Sequence, residues 1–483
     1  MILKKKQVLA RFEGYARGAM AEWQVPGVAV AIVEGDRTIY ARGFGSKKAG
    51  SPDPVDEKTV FQIGSVSKSF TAALVSMLVD DGKVNWKDKV KAHLPDFCLH
   101  DPAATREFTV EDLMSQRSGL PAHAGRLLPH LGFNRDYIIK SLRYIKPAAA
   151  FRGEYAYQNN LFLVAAALVE KYSGKCWERS LQDLILSPLE MKHTTTTFLG
   201  WLKSGAAAHG HYYNGPGPGS QVIPIPMDWP NYDWVYTIAP AGGINSNVLD
   251  MTGWLKLHLG EGVFKDRRLI SRDSARIMHA AKINAGQDVW GETRYYCLGW
   301  VKSEYHPCPI FWHNGGTSGM KSMVALVPEA GIGIVVHCNL CETLLPEALC
   351  RVFFDLWFNN PLRDWSNELL EKCNNEISCL QEPEVPYTPP RPLAFYAGTF
   401  YSDLYGAVTV SKTGRSLTIT LGPKKIRLKL KHWGGDTFAL HWPGVMTNGA
   451  GIQFYANRTG IVDKIEIAGM NDDLAGVFIR RPF

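Results

Sequence analysis

Two serine–lysine pairs with S-x-x-K spacing could each supply a nucleophile and its base: Ser65 with Lys68, and Ser318 with Lys321. One S-x-x-K is weak, since a chain of this length contains about one or two by chance. Ser65 precedes a long apolar run with helical spacing, and residues i and i+3 of a helix share a face, so the Lys68 amine can reach the Ser65 hydroxyl. Ser318 instead leads into a strand pattern, where i and i+3 point to opposite faces. We therefore interpret the second pair as accidental.

A serine hydroxyl is a poor nucleophile until another group takes its proton. Lysine can take that proton when burial or nearby positive charge destabilises its ammonium form. The apolar run around Lys68 offers burial, and a helix N-terminus favours negative charge near Ser65. A third polar group is expected to share the proton and to orient the pair.

Two further stretches carry such groups. FRGEYAYQNN at 151–160 places Tyr157 and Asn159 just before another apolar run with helical spacing. IFWHNGG at 310–316 ends a predicted strand with the letters H-N-G-G, which begin at His313. Other signatures are missing: the chain has no G-x-S-x-G, no H-E-x-x-H, no Walker P-loop and no G-x-G-x-x-G.

In this order, the three motifs resemble those of the serine β-lactamase-like superfamily, which carries S-x-x-K, then Y-x-N, then a strand-borne [KH]-x-G. LMSQRSGLP at 113–121 and APAGGINSNVLDMTGWL at 239–255 resemble two further pieces of that family. The resemblance covers about residues 12–355. It implies a mixed α/β (α+β) fold, in which an antiparallel sheet flanked by helices is joined by an all-helical subdomain.

The resemblance also implies catalytic roles for the residues at matching positions. Ser65 would be the nucleophile, and Lys68 its base or proton relay. Tyr157 would share proton transfer and protonate the leaving group, with His313 as the first residue of the third motif. The backbone N–H groups of Ser65 and Gly316 would form the oxyanion hole, where each donor is worth a few kcal/mol.

Three more positions are implied at the substrate. Asn159 would hold a substrate carbonyl or amide, and Gly315 would line the same site. His123, two residues beyond the G-L-P turn, occupies a place where relatives often contact substrate. Each candidate also has a structural interpretation: Ser65 as an N-cap, Lys68 as a surface lysine, and the tyrosine and asparagine as packing and turn residues. The agreement of three motifs in order favours function.

The third motif departs from the penicillin-recognising form, K-T-G, whose lysine helps to anchor a substrate carboxylate. Histidine is largely neutral at pH 7 unless its pKa is raised, so His313 removes a fixed cation. The H-x-G form is similar to that of the family's D-amino-acid-specific peptidases and of some of its esterases. We expect an acyl-enzyme serine hydrolase of short or D-residue-containing peptides. The alternatives are a carboxylesterase of small acyl esters, and a β-lactamase or penicillin-binding protein with weak β-lactam turnover.

A non-catalytic protein is the competing class: one that acylates without turnover, or that serves only in assembly. The intact set of Ser65, Lys68 and Tyr157 argues against it, since an inactive relative has no need of all three. Saturable turnover that is abolished by Ser65→Ala would reject it.

The elements that must position these residues follow from hydrophobic periodicity. The segment at 28–45 predicts a hairpin that turns at its G-D dipeptide. Apolar helical spacing predicts helices over 70–83 and 161–175, each ended by a glycine. SMVALVP and GIGIVVH at 322–337 predict paired strands. A sheet with helices on its faces fits this order.

Three segments divide the chain. Residues 1–360 mix helical and strand patterns, and residues 361–392 turn polar and end in EPEVPYTPPRP, which predicts a proline-rich linker. Residues 393–483 alternate apolar and polar in short runs, which predicts a small antiparallel β-barrel. The beginning of this segment resembles the lipocalin-like barrel that follows many of the family's peptidases. In those relatives the barrel can help oligomers to form, so a homo-oligomer is an open alternative here.

Composition excludes several classes of protein. Hydrophobic residues make up 46% of the 483 residues and charged residues 20%, which is typical of a globular protein and not of a disordered one. No stretch approaches the ~20 apolar residues of a bilayer span, so we expect no transmembrane segment. The first residues carry basic charge without the apolar run of a signal peptide, which leaves the compartment open.

The net charge of +7 is concentrated near the C-terminal end. Residues 391–483 hold 12 Lys and Arg against 6 Asp and Glu, or +6, which leaves +1 for the rest. These charges alternate with apolar residues, as on a solvated strand face, and no motif of the common RNA-binding modules is present. We therefore expect a small-molecule, peptide or ester substrate and no nucleic-acid partner.

The nine cysteines are an odd number, so at least one is unpaired within the chain. Cys338 and Cys341 form a C-x-x-C, but they follow the apolar run GIGIVVH. A zinc site needs about four ligands, and no second C-x-x-C or paired histidine motif appears. We therefore expect small buried thiols, no metal and no other cofactor.

Overall fold

The computed structural model describes residues 4–229, 231–378, 388–440, 450–473 and 475–481. The chain forms two compact units. The first comprises residues 1–88, 109–115 and 162–380, and the second comprises residues 89–108, 116–161 and 381–483. Part of the predicted proline-rich stretch, residues 382–387, lies outside the described residues.

The α-helices are numbered in chain order. They are α1 (Lys5–Glu22), α2 (Ser67–Asp80), α3 (Val90–His93), α4 (Pro102–Glu107), α5 (Leu128–Leu131), α6 (Arg135–Ser141), α7 (Asn160–Ser173), α8 (Trp177–Leu181), α9 (Phe198–Lys203), α10 (Trp234–Thr237), α11 (Ala239–Gly242), α12 (Val248–Leu259), α13 (Arg272–His279), α14 (Leu345–Phe358) and α15 (Trp365–Ser378). Within the described residues, none of them has the length and apolar character needed to cross a bilayer.

The strands of the first unit come before those of the second in the chain. The first unit contains β1 (Gly27–Glu34), β2 (Arg37–Gly45), β3 (Phe61–Gln62), β4 (His211–Asn214), β5 (Gln221–Pro224), β6 (Asn245–Ser246), β7 (Val263–Phe264), β8 (Arg267–Arg268), β9 (Ile283–Gln287), β10 (Thr293–Tyr296), β11 (Val301–Ser303), β12 (Ile310–Thr317), β13 (Met320–Val327) and β14 (Ile332–Cys338). The second contains β15 (Gly398–Ser402), β16 (Gly406–Thr413), β17 (Ser416–Leu421), β18 (Ile426–Gly434), β19 (Thr437–Leu440), β20 (Ala450–Ala456), β21 (Val462–Ile467) and β22 (Val477–Ile479).

An eight-stranded antiparallel sheet forms the centre of the first unit, in the order β2-β1-β14-β13-β12-β11-β10-β9. β1 and β2 form the predicted hairpin, and Gly35 at its turn has a φ of +59°. β13 pairs with β14, which confirms the prediction for 322–337. β14 is buried along its whole length, which explains why its sequence, apart from His337, is apolar instead of alternating.

Helices cover both faces of this sheet. Leu255 of α12 packs at Gly333, on the face that carries the His313 side chain. The next residue of β12, Asn314, points to the opposite face, where its side chain bonds Glu347 of α14. The predicted helices over 70–83 and 161–175 are confirmed as α2 and α7, with their ends shifted by one to three residues.

The second unit joins short helices to a closed barrel. α3 to α6 form the predicted all-helical part, and β15 to β22 close a barrel in which each strand pairs with its neighbour in sequence. In β17, Leu417, Ile419 and Leu421 are buried and alternate with half-buried residues. The prediction of an antiparallel barrel is confirmed. The buried residues of this alternating pattern fill the interior of the barrel.

The barrel packs against the helices of its own unit. The backbone N–H of Lys424 donates to the carbonyl of Leu131 over 3.1 Å, and the Tyr137 hydroxyl donates to the carbonyl of Leu404 over 3.0 Å. The structure thus groups residues that are far apart in sequence. The boundaries predicted for the domains, 1–360 and 393–483, stay a prediction.

The first part of the segment predicted as a linker, 361–392, contains the helix α15, and the linker itself stays a prediction. Trp365 and Leu369 are buried on the side of this helix that packs on α14, and Trp365 Nε1 donates to Asp355 Oδ2 over 2.7 Å. The two buried residues form a narrow apolar stripe with helical spacing. This stripe was not recognised in the sequence because polar residues lie between them.

Candidate active site

Ser65 lies in a 3₁₀ turn, Gly64–Val66, that runs directly into α2. The Nζ of Lys68 donates a hydrogen bond to Ser65 Oγ over 3.1 Å. Gly64 has a φ of +54°, which glycine adopts at little cost, and this conformation sets the turn that presents Ser65. The structure therefore brings the predicted serine and lysine into contact.

The Lys68 side chain is completely buried. Its Nζ donates to the carbonyl of Ala241 over 2.8 Å and lies 5.4 Å from the centre of the Phe162 ring. Burial holds the pKa of the Lys68 amine well below its usual range. A neutral amine has a lone pair that can accept the hydroxyl proton of Ser65.

The segment at 239–244 holds the beginning of α2. Thr71 Oγ1 donates to the carbonyl of Pro240 over 2.6 Å, and the backbone N–H of Ile244 donates to Ser67 Oγ over 3.1 Å. These bonds use backbone groups of the A-P-A-G-G-I sequence and tie it to the first turn of α2.

His313 stands on β12 with both ring nitrogens engaged. Its Nδ1 lies 2.6 Å from the carbonyl oxygen of Asn314, and since a carbonyl only accepts, Nδ1 carries the hydrogen. Nε2 is then left to accept the hydroxyl of Tyr296 over 3.1 Å. Burial lowers the pKa of His313 to about 3. The imidazole is therefore neutral at pH 7.

The two glycines after Asn314 lie against the serine turn. A Cβ on Gly315 would stand 1.9 Å from the carbonyl oxygen of Ile63 and 2.7 Å from the backbone nitrogen of Ser65. A Cβ on Gly64 would stand 2.7 Å from the nitrogen of Gly316. The segments that carry the two expected oxyanion donors thus abut, and the contact requires glycine at positions 64 and 315.

The remaining predicted residues belong to the second unit. The backbone N–H of His123 donates to the carbonyl of Tyr157 over 2.7 Å, and their ring centres lie 5.3 Å apart. His123 has a φ of +60°, which is unusual for a residue with a side chain. Asn159 follows two residues after Tyr157, and both are half-buried.

Three residues were not predicted from the sequence: Gln116, Gln158 and Tyr296. Gln116 Nε2 donates to the carbonyl of Gln158 over 3.0 Å, and the backbone N–H of Gln158 donates to Gln116 Oε1 over 2.6 Å. This reciprocal pair is buried and fixes the backbone between Tyr157 and Asn159. Gln116 stands in the segment LMSQRSGLP, which was its only signal, and no motif marks Tyr296.

The second S-x-x-K has other partners. Ser318 Oγ accepts a hydrogen bond of 2.9 Å from Trp234 Nε1, and Lys321 Nζ lies 3.3 Å from Glu347 Oε1. Lys321 is part of β13, so this pair lacks the helical geometry of Ser65 and Lys68.

The described cysteines are free thiols. Burial raises the pKa of Cys338 and of Cys341 to about 12, so neither is a thiolate at neutral pH. Within the part of the chain that the structure describes, no three His, Cys, Asp or Glu side chains are grouped so that they could hold a metal ion.

Comparison with protein families gives two matches. A family model described as Beta-lactamase matches residues 12–348, and one described as a domain of unknown function, DUF3471, matches residues 382–476. The first match spans all of the three motifs, and the second spans most of the barrel.

A fungal protein is similar over most of its length. The unguisins hydrolase ungD of Aspergillus violaceofuscus is 29% identical over 473 residues, which cover 88% of this chain and 82% of that protein.

Two solved structures are similar in fold. The octameric penicillin-binding protein homologue from Pyrococcus abyssi has a TM-score of 0.62 at 20% identity, covering 95% of this chain and 98% of that one. The D-amino acid amidase from Ochrobactrum anthropi SV3 has a TM-score of 0.59 at 18% identity, covering 76% of this chain and 99% of that one.

Proposed function

Because this chain belongs to the β-lactamase family and is an enzyme of the serine hydrolase type, we propose that Ser65 is its nucleophile and that it hydrolyses amide bonds through an acyl-enzyme. One observation carries this proposal: the Nζ of Lys68 lies 3.1 Å from Ser65 Oγ and is completely buried. Burial favours the neutral amine, which is the form that can accept the serine proton.

In the acylation step, Ser65 Oγ attacks the substrate carbonyl carbon while its proton passes to the Lys68 amine. The resulting oxyanion accepts hydrogen bonds from the backbone N–H groups of Ser65 and Gly316. The C–N bond then breaks, and Tyr157 gives its proton to the leaving amine and is reprotonated by Lys68. Water then attacks the acyl-serine carbonyl carbon and gives a proton to Lys68. The bond between that carbon and Ser65 Oγ breaks, Lys68 returns the proton to Ser65 Oγ, and the acid leaves.

The remaining roles are proposed from the family motif. Asn159 holds a carbonyl or amide of the substrate, and Gly315 and His123 line the same site. His313 keeps a neutral ring on β12, where its Nε2 accepts from Tyr296 and cannot also serve as a cation.

The proposed substrates are short peptides, including those with D-residues. The H-N-G form of the third motif supports this choice, and so do the names of an unguisins hydrolase and a D-amino acid amidase among the similar proteins. The alternative is a carboxylesterase of small acyl esters. Turnover of β-lactams is expected to be weak, since the neutral His313 offers no fixed cation to a substrate carboxylate.

The test is the initial rate on D-alanine p-nitroanilide beside p-nitrophenyl butyrate. Amide turnover that Ser65→Ala abolishes is the expected result. Ester turnover alone, lost in the same variant, would place the protein with the esterases. A stoichiometric burst without further turnover would indicate a protein that acylates and stops.

Ser318→Ala is the matched control, because it removes the serine of the second S-x-x-K. We expect it to retain the rates of the unmodified protein on both substrates. If Ser65→Ala were as active as the unmodified protein, Ser65 would not be the nucleophile. A loss confined to Ser318→Ala would move that role to the second pair.

We also propose that the chain forms a homo-oligomer, because the similar protein from Pyrococcus abyssi is octameric. Sedimentation velocity of the full chain tests this. A single species at the mass of one chain, 53.7 kDa, across micromolar concentrations would contradict it.

A further inference from the structure

A buried polar network lies behind the H-N-G motif, on the face of β12 opposite to the one that carries His313. Asn314 Nδ2 donates a hydrogen bond of 2.8 Å to Oε1 of Glu347, in the first turn of α14. The same Oε1 lies 3.3 Å from Nζ of Lys321 on β13. The network therefore ties α14 to two neighbouring strands of the sheet.

The carboxylate of Glu347 depends on these two partners. Its side chain is 1% exposed, and that of Lys321 is 17% exposed. Among the described residues, Oε2 of Glu347 has no hydrogen-bond partner. A buried charge is tolerated when it is paired and hydrogen-bonded, and the first turn of a helix favours a negative one. The position of both strands is thus constrained by one buried charge.

The same two strands carry the expected oxyanion donor. Gly316 lies opposite Lys321 in the register of β12 and β13, and it follows two residues after Asn314. Between them, Gly315 abuts the backbone nitrogen of Ser65. A donor has to lie about 2.7–3.1 Å from the oxyanion to stabilise it, so a small shift of β12 relative to Ser65 changes the rate.

On the premise of the proposed function, we propose that Glu347 is a positioning residue. Through its contacts with Asn314 and Lys321, it holds β12 in place. In this position the N–H of Gly316 can donate to the oxyanion formed at Ser65. Glu347 acts through the strand and touches no substrate. Loss of Glu347 is expected to raise the free energy of the transition state more than that of the bound substrate, because the full negative charge on oxygen exists only in the former. A purely structural residue would change stability alone.

The test is Glu347→Gln in the full chain, with D-alanine p-nitroanilide as substrate. Glutamine keeps the shape and an oxygen acceptor for Asn314, and removes the charge that pairs with Lys321. We expect kcat to fall at least tenfold, with KM changed less than twofold. Affinity for phenylboronic acid, which adds to a serine hydroxyl as a tetrahedral boronate, is expected to fall by the same factor.

Asp355→Asn is the matched control on the same helix. Asp355 is buried two turns later, where its carboxylate accepts hydrogen bonds from Tyr305 and Trp365. Its replacement is expected to lower Tm while leaving kcat and boronate affinity within twofold of the unmodified protein.

Unchanged kcat and boronate affinity in a folded Glu347→Gln would overturn the proposal and leave the residue a structural role. If that variant does not fold, Lys321→Met and Lys321→Arg replace it. Lys321→Met is expected to lower kcat at least tenfold, and Lys321→Arg less than threefold. Equal kcat values for these two variants would overturn the proposal. An active Ser65→Ala would overturn the proposed function itself. An inactive Ser65→Ala beside a normal Glu347→Gln would overturn only the positioning role.

Discussion

The amine of Lys68 reaches the hydroxyl of Ser65 over 3.1 Å from a completely buried position. Distance and burial act together, since the first allows a proton to pass and the second disfavours the ammonium that would be unable to accept it. A surface lysine at the same distance would stay protonated at pH 7. The pair is therefore suited to start an acyl transfer without a histidine base.

The first prediction concerns the acid limb of the pH–rate profile. Burial places the pKa of Lys68 well below the ordinary 10.5, so the amine stays neutral and active down to that lowered pKa. As pH falls through it, kcat/KM is expected to drop tenfold per pH unit, because the protonated amine has no lone pair. A profile already falling from pH 10 downward would contradict this. Lys68→Arg is expected to lose about 10²–10⁴-fold at all pH values.

The second prediction concerns Gly315. Alanine there would place a Cβ 1.9 Å from the Ile63 carbonyl oxygen, so β12 and the serine turn must separate. We expect Gly315→Ala to lose more than 100-fold in kcat/KM and to lower Tm. The control is Gly18→Ala on α1, where a Cβ meets no atom within 4 Å and alanine favours the helix by about 1 kcal/mol. Equal activity of the two variants would show that β12 tolerates a side chain at this contact.

The third prediction concerns Tyr296, whose hydroxyl donates to His313 Nε2 over 3.1 Å. Removing that hydroxyl deletes a hydrogen bond that orients the buried imidazole, and one such bond contributes about 0.5–1.5 kcal/mol. Tyr296→Phe is therefore expected to lower kcat/KM by about two- to tenfold and to increase the motion of the His313 ring, seen as exchange broadening of its NMR signals. Tyr295→Phe, on the preceding position of β10, should change neither quantity. If the two variants behave alike, Tyr296 does not orient the histidine.

The fourth prediction concerns stability in acid and His337, which is buried on β14. Burial lowers the pKa of this histidine to about 3, against 6.5 in the unfolded chain. Between those two pH values the unfolded state takes up a proton and the folded state does not. The contribution of His337 to the unfolding free energy is therefore complete above pH 6.5 and is lost as the pH falls toward 3. His337→Phe removes this group. Below pH 6.5 it is expected to reduce the slope of the unfolding free energy against pH by up to about 1.4 kcal/mol per pH unit. Urea unfolding at pH 5, 6 and 8 measures it, and an unchanged slope below pH 6.5 would contradict it.

Several elements of the first unit could be predicted from local pattern. Strands β1, β13 and β14 and helix α2 carry apolar runs that match their nearly continuous burial. The alternation in residues 417–421 likewise predicted a strand of the barrel, observed as β17. α15 was missed because its buried positions, Trp365 and Leu369, stand among polar residues, so that the mean composition concealed the stripe.

The S-x-x-K contact was within reach of the sequence, because residues i and i+3 of a helix share a face whatever the rest of the chain does. The sequence by itself thus determined which serine can meet a lysine. It also predicted that the H-N-G-G letters, which begin at His313, lie at the end of a strand, which is β12. Both follow from spacing and residue type alone.

Only the tertiary structure decided which distant groups support that pair. Tyr296 reaches His313 across the sheet, and Glu347 reaches Asn314 from α14. It also decided that α5 and α6 share a unit with the barrel. The physical reason is that periodicity reveals which side of an element is buried, whereas its partner is chosen by strand register and by the packing of segments far apart in the chain.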